Sequence, residues 1–278
     1  MRLHPFMLKN KIKIPKRIKN SHKGDYGRVL IVAGSSGMIG AAILSSRGAI
    51  RSGAGLVYLA VPNFLRNFVN LATPEVIVKN FYEINDFEFD VLAVGSGLSM
   101  NKESKFLVEK IVSKTKKSLV VDADALNILS CNLDVLIKSK ADIVLTPHPL
   151  EMARLTGLDV SYIQKNRVKT AEQFAKKWGV CLVLKGDKTV VADNHGNTFI
   201  NSTGNPGMAS AGMGDVLTGV ISAFIAQKFS LFDAACIGVY LHGLAADIAV
   251  KVKGEYSLIA TDIIDFLPNA FLKVQNAL

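Results

Sequence analysis

At 278 residues and 49% hydrophobic content, the chain can bury the core of one large domain, and no internal repeat or Pro/Ser-rich linker divides it. Its formal charge of +10 comes mostly from lysine, yet zinc-finger spacing, RNP aromatics and a bZIP pattern are all missing, which predicts a solvated basic surface and no nucleic-acid partner. Apolar stretches are broken by Gly, His, Asp or Lys before bilayer length, so no membrane span is expected; Cys131, Cys181 and Cys236, widely spaced among apolar residues, read as reduced core thiols of a cytoplasmic protein.

The chain opens on a basic arm, residues 1–22, in which Lys9, Lys11, Lys13, Lys16, Arg17 and Lys19 cluster without the apolar run of a secretory signal. RVLIVAG (28–34) predicts a strand. It leads into GSSGMIGAAILSSRGAIRSG, helical in period after Gly40, and then into the strand LVYLAVP (56–62). Further strands follow at DVLAVG (90–95), SLVVDAD (118–124), DIVLTP (142–147) and VCLVLKG (180–186). Such near-continuous Val/Ile/Leu runs alternating with helices indicate a parallel sheet buried on both faces. Between Thr189 and Ile200, two short strands around Asn194-His195-Gly196-Asn197 read as an edge hairpin. The last quarter reads as helices over 215–227, roughly 231–252, and 261–275. Leaving the strands, the chain meets Gly34, Gly95, Asp122, His148 and Lys185. Open α/β sheets bind ligands at the carboxyl ends of their strands, so one shared cleft is expected there.

The segment GNPGMASAGMGDVLTG (204–219) concentrates the chemistry. Val216, Leu217, Val220, Ile221, Phe224 and Ile225 follow a helical period, and glycines crowd the helix start, where unpaired amides and the dipole favour an anion. Capping alone would account for Asp215, but not for Gly204, Gly207, Gly212 and Gly214 upstream of it. The familiar phosphate loops do not fit. No G-x-x-x-x-G-K-[ST] occurs, the loop from Gly34 to Gly40 has GxxGxxG spacing, and no acid ends LVYLAVP to hold a ribose. In TPHPLE (146–151), Pro149 suits the first helical position and Glu151 the first turn, which leaves His148 unexplained. With no second His or Cys at ligand spacing, His148 is assigned to substrate contact.

Taken together, GDYGRVLIVAGSSGMIGAA, VDADAL, LTPHPLEMARL, LVLKGDKTVV, GNPGMASAGMGDVLTG and YLHGLAAD resemble the ADP/ATP-dependent NAD(P)H-hydrate dehydratases, in consistent order from about Lys23 to near Asp265. The resemblance implies a ribokinase-like three-layer α/β fold, with a mostly parallel central sheet flanked by helices, as a single domain over 23–278. It implies metabolite repair. ADP or ATP phosphorylates the ring hydroxyl of NADHX or NADPHX, and the ring nitrogen helps expel phosphate to restore NADH or NADPH. By the same resemblance Asp215 is the base toward that hydroxyl, and the backbone at Gly212 and Gly214 stabilises the phosphoryl group. Lys185, Gly186, Asp187, Lys188, Thr189 and Gly214 would line the adenosine nucleotide. Ala41, Gly97, His148 and Asp215 would contact the hydrated cofactor, and Glu151 would organise Mg2+ through water. A homo-oligomer, specifically a tetramer, is implied, as is a link to a separate NAD(P)HX epimerase, since the epimerase domain often fused to this family has no counterpart in the matched segments.

The sequence departs from the family pattern at Gly95-Ser-Gly-Leu-Ser99, where Gly-Pro-Gly-Leu-Gly is common. It also carries Leu150 in place of a common Gly and Met213 in place of a frequent Thr. A kinase of a hydroxyethylthiazole- or hydroxymethylpyrimidine-type vitamin precursor would share Asp215 and the anion site, but such kinases carry Asn where His148 stands. A nucleotide-binding sensor without catalysis would not need both Asp215 and Glu151. ADP and ATP share every group these motifs would touch, so the donor stays open between them.

Overall fold

The computed structural model describes residues 7–8, 11–12, 14–86 and 88–276. The first half of the chain forms β1 (Met7–Leu8), β2 (Lys11–Ile12), β3 (Arg28–Val32), α1 (Ile39–Arg51), β4 (Leu56–Val61), α2 (Arg66–Ala72), β5 (Ile77–Asn80), β6 (Val91–Val94) and α3 (Lys102–Lys114). Next come β7 (Ser118–Val121), α4 (Ala123–Leu129), α5 (Asp134–Lys138), β8 (Ile143–Leu145), α6 (Pro149–Thr156), α7 (Val160–Lys165) and α8 (Arg167–Trp178). The remainder is β9 (Cys181–Leu184), β10 (Val190–Ala192), β11 (Thr198–Ile200), α9 (Met213–Ala226), α10 (Leu231–Lys253) and α11 (Ala260–Asn276).

The strands β3 to β11 build a 9-stranded sheet in the order β11-β10-β9-β8-β7-β6-β3-β4-β5. Every neighbouring pair from β9 to β5 is parallel, and β10 and β11 fold back antiparallel as the expected edge hairpin. Successive strand residues point to opposite faces, so β3 feeds two cores. Val29 and Ile31 join the core beneath α1, α9, α10 and α11, while Leu30 and Val32 join the one beneath α3, α4, α6 and α8. Helices on both faces of a parallel sheet make the three layers that the strand runs predicted.

Two glycines set the spacing of α1 and α9. A Cβ on Gly219 would fall 1.9 Å from the Ser45 carbonyl oxygen, and one on Gly48 would fall 2.5 Å from that of Val216. The two helices therefore meet backbone to backbone, with Ala42, Ser45, Ser46 and Ala49 completing the small-residue face of α1.

Several expectations need amendment. Strand β5 was not anticipated; its β-branched run follows Pro74 closely and forms an edge. Cys181 and Cys236 are buried free thiols, but Cys131 is exposed at the end of α4. Helix α10 is, by length and composition, apolar enough to cross a membrane (mean hydropathy 1.5), where no such stretch was expected; 67% of that window is buried inside the protein. Of the basic arm, Lys9 and Lys13 lie outside the described residues. The part that is described packs on the domain. Ile12 and Ile14 are buried, and Arg17 lies 4.0 Å from the centre of the Tyr26 ring while donating to the Gly53 carbonyl.

Candidate active site

Helix α9 begins at Met213, so Asp215 lies within its first turn and Gly212 is the N-cap. Gly212 is left-handed (φ 87°), and a Cβ there would fall 2.5 Å from Leu44 Cδ1, so both conformation and space demand glycine. The Val216 amide donates to the Gly212 carbonyl at 3.2 Å, which leaves the amides of Met213, Gly214 and Asp215 without an intrahelical acceptor. A Cβ on Gly214 would stand 3.2 Å from Lys185 Nζ and 3.6 Å from Asp122 Oδ2. Glycine keeps that approach open. Upstream, Asp247 of α10 accepts from the Gly204 amide and the Asn205 side chain, at 3.0 Å each, and ties the GNPGM loop down.

Asp122, at the end of β7 and buried, is the hub beside this helix start. Its Oδ1 accepts from Lys185 Nζ at 2.6 Å and its Oδ2 from Thr218 Oγ1 at 2.8 Å. Lys185, just past β9, also stands 3.9 Å from Glu151 Oε2. Burial opposes the Lys185 charge, but Asp122 and Glu151 outweigh it and hold its pKa above the usual lysine value. Burial pushes Glu151 up to about 7 against the pull of Lys185. Burial likewise pushes Asp215 up to about 6; the Asp122 charge adds to the rise, and Ser96 and Lys185 oppose it. Asp215 is therefore a stronger base than an ordinary carboxylate, poised near neutral pH.

His148 has a local explanation that the sequence did not reveal. It N-caps α6: Nδ1 accepts from the amides of Leu150 and Glu151, both at 3.1 Å, and Glu151 Oε2 accepts from the His148 amide at 2.7 Å. This is a capping box with histidine in the Ser/Thr position. The accepting Nδ1 requires the neutral form, in keeping with a pKa lowered by burial and by Lys185. The ring remains half-exposed, with Nε2 3.3 Å from Glu151 Oε1.

A family profile described as NAD(P)H-hydrate dehydratase matches residues 29–269. The chain belongs to the NAD(P)H-hydrate dehydratase family. The bifunctional NAD(P)H-hydrate repair enzyme of Moorella thermoacetica is 42% identical over 270 residues, 92% of this chain and 51% of that protein. The chain thus spans about half the length of the bifunctional relatives it matches. The ADP-dependent (S)-NAD(P)H-hydrate dehydratase of Neisseria meningitidis is 37% identical over 86% of this chain and 82% of its own length. The ADP/ATP-dependent NAD(P)H-hydrate dehydratase of Bacillus subtilis, co-crystallised with ATP/Mg2+, superposes with a TM-score of 0.85 at 30% identity, covering 94% of each chain. The fold is accordingly ribokinase-like.

Within this dehydratase-family fold, the residues predicted from sequence fall into three groups along the strand ends. Asp215, Gly214, Lys185 and Glu151 converge on Asp122 directly. Gly97 and Ala41 pair one strand further along: Gly97 is left-handed (φ 62°), and a Cβ on it would lie 2.9 Å from Ala41 Cβ. Gly186, Asp187, Lys188 and Thr189 form the β9–β10 turn, where Thr189 Oγ1 donates to the Gly186 carbonyl and Lys188 is left-handed (φ 51°). Arg167 underlies this turn, donating to the Leu184 carbonyl at 2.7 Å. Among the described residues, no group of three or more His, Cys, Asp or Glu could cage a metal directly. Asp122, Glu151 and Asp215 nevertheless outnumber Lys185, the surplus negative charge that a cation arriving with phosphates and waters would balance. The charge balance of the set fits a divalent cation held through water.

Asp122 stood out in the sequence only as a polar strand end, and nothing marked Thr218, one turn past Asp215 inside an apolar helix. His242 of YLHGLAAD also went unassigned. It is buried on α10, hydrogen-bonds the backbone of Met213, and has Nε2 unpartnered; burial lowers its pKa to about 4 and keeps it neutral.

Proposed function

We propose that the protein dehydrates NADHX and NADPHX at the expense of ADP or ATP, with Mg2+, as one catalytic domain over 23–278. The observation that carries this reading is the half-buried Asp215 carboxylate, its pKa raised to about 6, in the same helix turn as amides that lack intrahelical acceptors. Phosphoryl transfer needs positioning and charge stabilisation more than covalent help, and this arrangement supplies both. Asp215 takes the proton of the ring hydroxyl as its oxygen attacks the terminal phosphorus, and the nucleotide leaves shorter by one phosphate. The backbone amides from Met213 to Asp215 and Lys185 would hold the transferring group. The ring nitrogen lone pair then displaces the phosphate, breaking the carbon–oxygen bond, and loss of a proton from the neighbouring carbon restores the dihydropyridine.

Lys185 to Thr189 would line the nucleotide, while Ala41, Gly97 and His148 would contact the hydrated cofactor. Mg2+, bound through waters near Glu151 and through the donor phosphates, would neutralise charge developing on the transferred group. The assembly expected is a cytoplasmic homotetramer working beside a separate NAD(P)HX epimerase. The deciding experiment mixes the protein with hydrated NADH, Mg2+ and either ADP or ATP and follows the reduced-nicotinamide absorbance. Recovery of absorbance that requires the nucleotide supports the reading, and no recovery with either donor removes it.

A further inference from the structure

A second cavity opens from the same row of strand ends, on the side away from the β9–β10 turn. It is a groove of about 1030 Å³ that begins at Gly34, Ser35 and Leu98 and runs along α3 toward Lys117. Lys102, Phe106, Lys110 and Lys114, at successive i+4 positions, place one face of α3 along it. An exposed lysine stripe is ordinarily a solvated face. Here, however, the stripe carries Phe106 at 68% exposure, and Phe64 and Tyr82 line the same groove at 61% and 89%. Aromatic faces beside ammonium groups suit a flat heteroaromatic ring carrying phosphate.

We propose that this groove seats the adenosine-phosphate half of the dinucleotide substrate. The inference rests on the functional reading above and extends it. The order of strand ends supports it. The turn assigned to the donor follows β9, Asp122 follows β7, Gly97 follows β6, and the groove starts beyond β3 and β4. From β7 to β4 is three strand spacings, roughly 14 Å at about 4.8 Å each. A dinucleotide extended from a nicotinamide ring at Asp215 crosses that distance, with its first phosphate beside Ala41 in the opening turn of α1. Its second half then arrives at the mouth of the groove, where Lys102 opens α3 and Phe64 and Phe106 lie exposed; among the described lining residues the lysines outnumber the one acid, Glu103. The ammonium groups also explain how the site would take a substrate bearing an additional 2′-phosphate.

The test is a double variant, Lys102→Glu with Phe106→Ala, on exposed positions at the mouth of the groove and away from the reacting atoms. Three substrates are compared: hydrated NADPH, hydrated NADH and hydrated reduced nicotinamide mononucleotide, which lacks the adenosine half. The expected result is a KM for hydrated NADPH raised tenfold or more with kcat retained, a smaller rise for hydrated NADH, and no change for the mononucleotide. Equal kinetics of the variant and the native chain on all three would overturn the assignment. So would an altered sedimentation coefficient with all three substrates equally impaired, which would make the groove a contact between copies. Should the native protein convert no hydrate at all, the functional reading fails separately. Calorimetric titration of adenosine 2′,5′-bisphosphate, with ADP saturating the donor turn, then decides the groove: binding lost in the double variant sustains it, and binding unchanged refutes it.

Discussion

Asp215 holds its carboxylate at a cost to stability. Its pKa is raised from 3.8 to about 6 by burial and by Asp122, so folding favours the protonated form. That contribution is fully present below pH 3.8 and is lost as pH rises through about 6. At pH 8 the native state therefore carries a half-buried negative charge that Asp215→Asn removes. The Asn variant is expected to melt higher at pH 8, by on the order of 2 kcal/mol, with the gain vanishing near pH 4. Its turnover should fall by roughly 10²–10⁴-fold while nucleotide affinity is kept, since backbone amides hold the phosphate. In the native enzyme the rate should climb with pH through about 6 as Asp215 ionises. Turnover within a few-fold of native in Asp215→Asn would reduce Asp215 to a dipole partner of α9. His148 caps α6, and two substitutions separate that cap from its proposed contact with the hydrated cofactor. His148→Ala loses the cap of α6 and should cost about 1 kcal/mol. His148→Asn restores the cap, and its remaining defect should be a raised KM for the hydrated cofactor at unchanged nucleotide affinity. Loss of nucleotide affinity in the Asn variant would move His148 to the donor side of the cleft.

At the scale of elements, the site exists because α1 and α9 start side by side on one face of the sheet. Gly48 and Gly219 permit their backbone contact about one turn beyond Asp215. Gly219→Ala would place a methyl 1.9 Å from the Ser45 carbonyl oxygen and must push the helices apart. Overpacking of this kind costs typically 1–3 kcal/mol, and backbone contact leaves little room to relax. A lowered melting temperature together with a reduced kcat is expected, because the α9 amides shift relative to Asp122. A drop in stability with kcat untouched would show that the helix start tolerates displacement. On the opposite face, α6 is fixed by its capping box, so Glu151 and His148 reach the cleft as one unit.

For the whole molecule, strand order converts five separate polar strand ends into one trough, and ligand binding should register globally. ADP or ATP at a hundredfold excess over its dissociation constant should add about 2.7 kcal/mol of stability by mass action. A melting curve unmoved by millimolar adenine nucleotide and Mg2+ would take the donor out of the account. Phe68, Leu71 and Ile77 lie exposed on α2 and the edge strand β5, at 63%, 85% and 40%. An unpaired edge flanked by apolar side chains calls for cover. Sedimentation is expected to show an oligomer that dissociates in Leu71→Asp.

The parallel sheet, its edge hairpin and the glycine-flanked start of α9 were all legible in the sequence. These rest on local signals: unbroken Val/Ile/Leu runs, turn residues between Asp193 and Thr198, and glycines ahead of a 3.6-residue period. The same local rules missed β5, a four-residue edge whose pairing with β4 is a long-range event. They also started the helical segment 215–227 at Asp215, whereas the left-handed Gly212 starts α9 at Met213, two residues earlier. The role of His148 as a cap needed the geometry of α6, since histidine is an uncommon residue there. The junction of Asp122, Lys185 and Thr218 could come only from the tertiary structure, for these residues are 63 and 96 positions apart in the chain. Charge pairing at such separation depends on strand order, and strand order is fixed by which faces the sheet buries against its two helical layers. The raised pKa values of Asp215 and Glu151 follow from that burial, which no local pattern encodes.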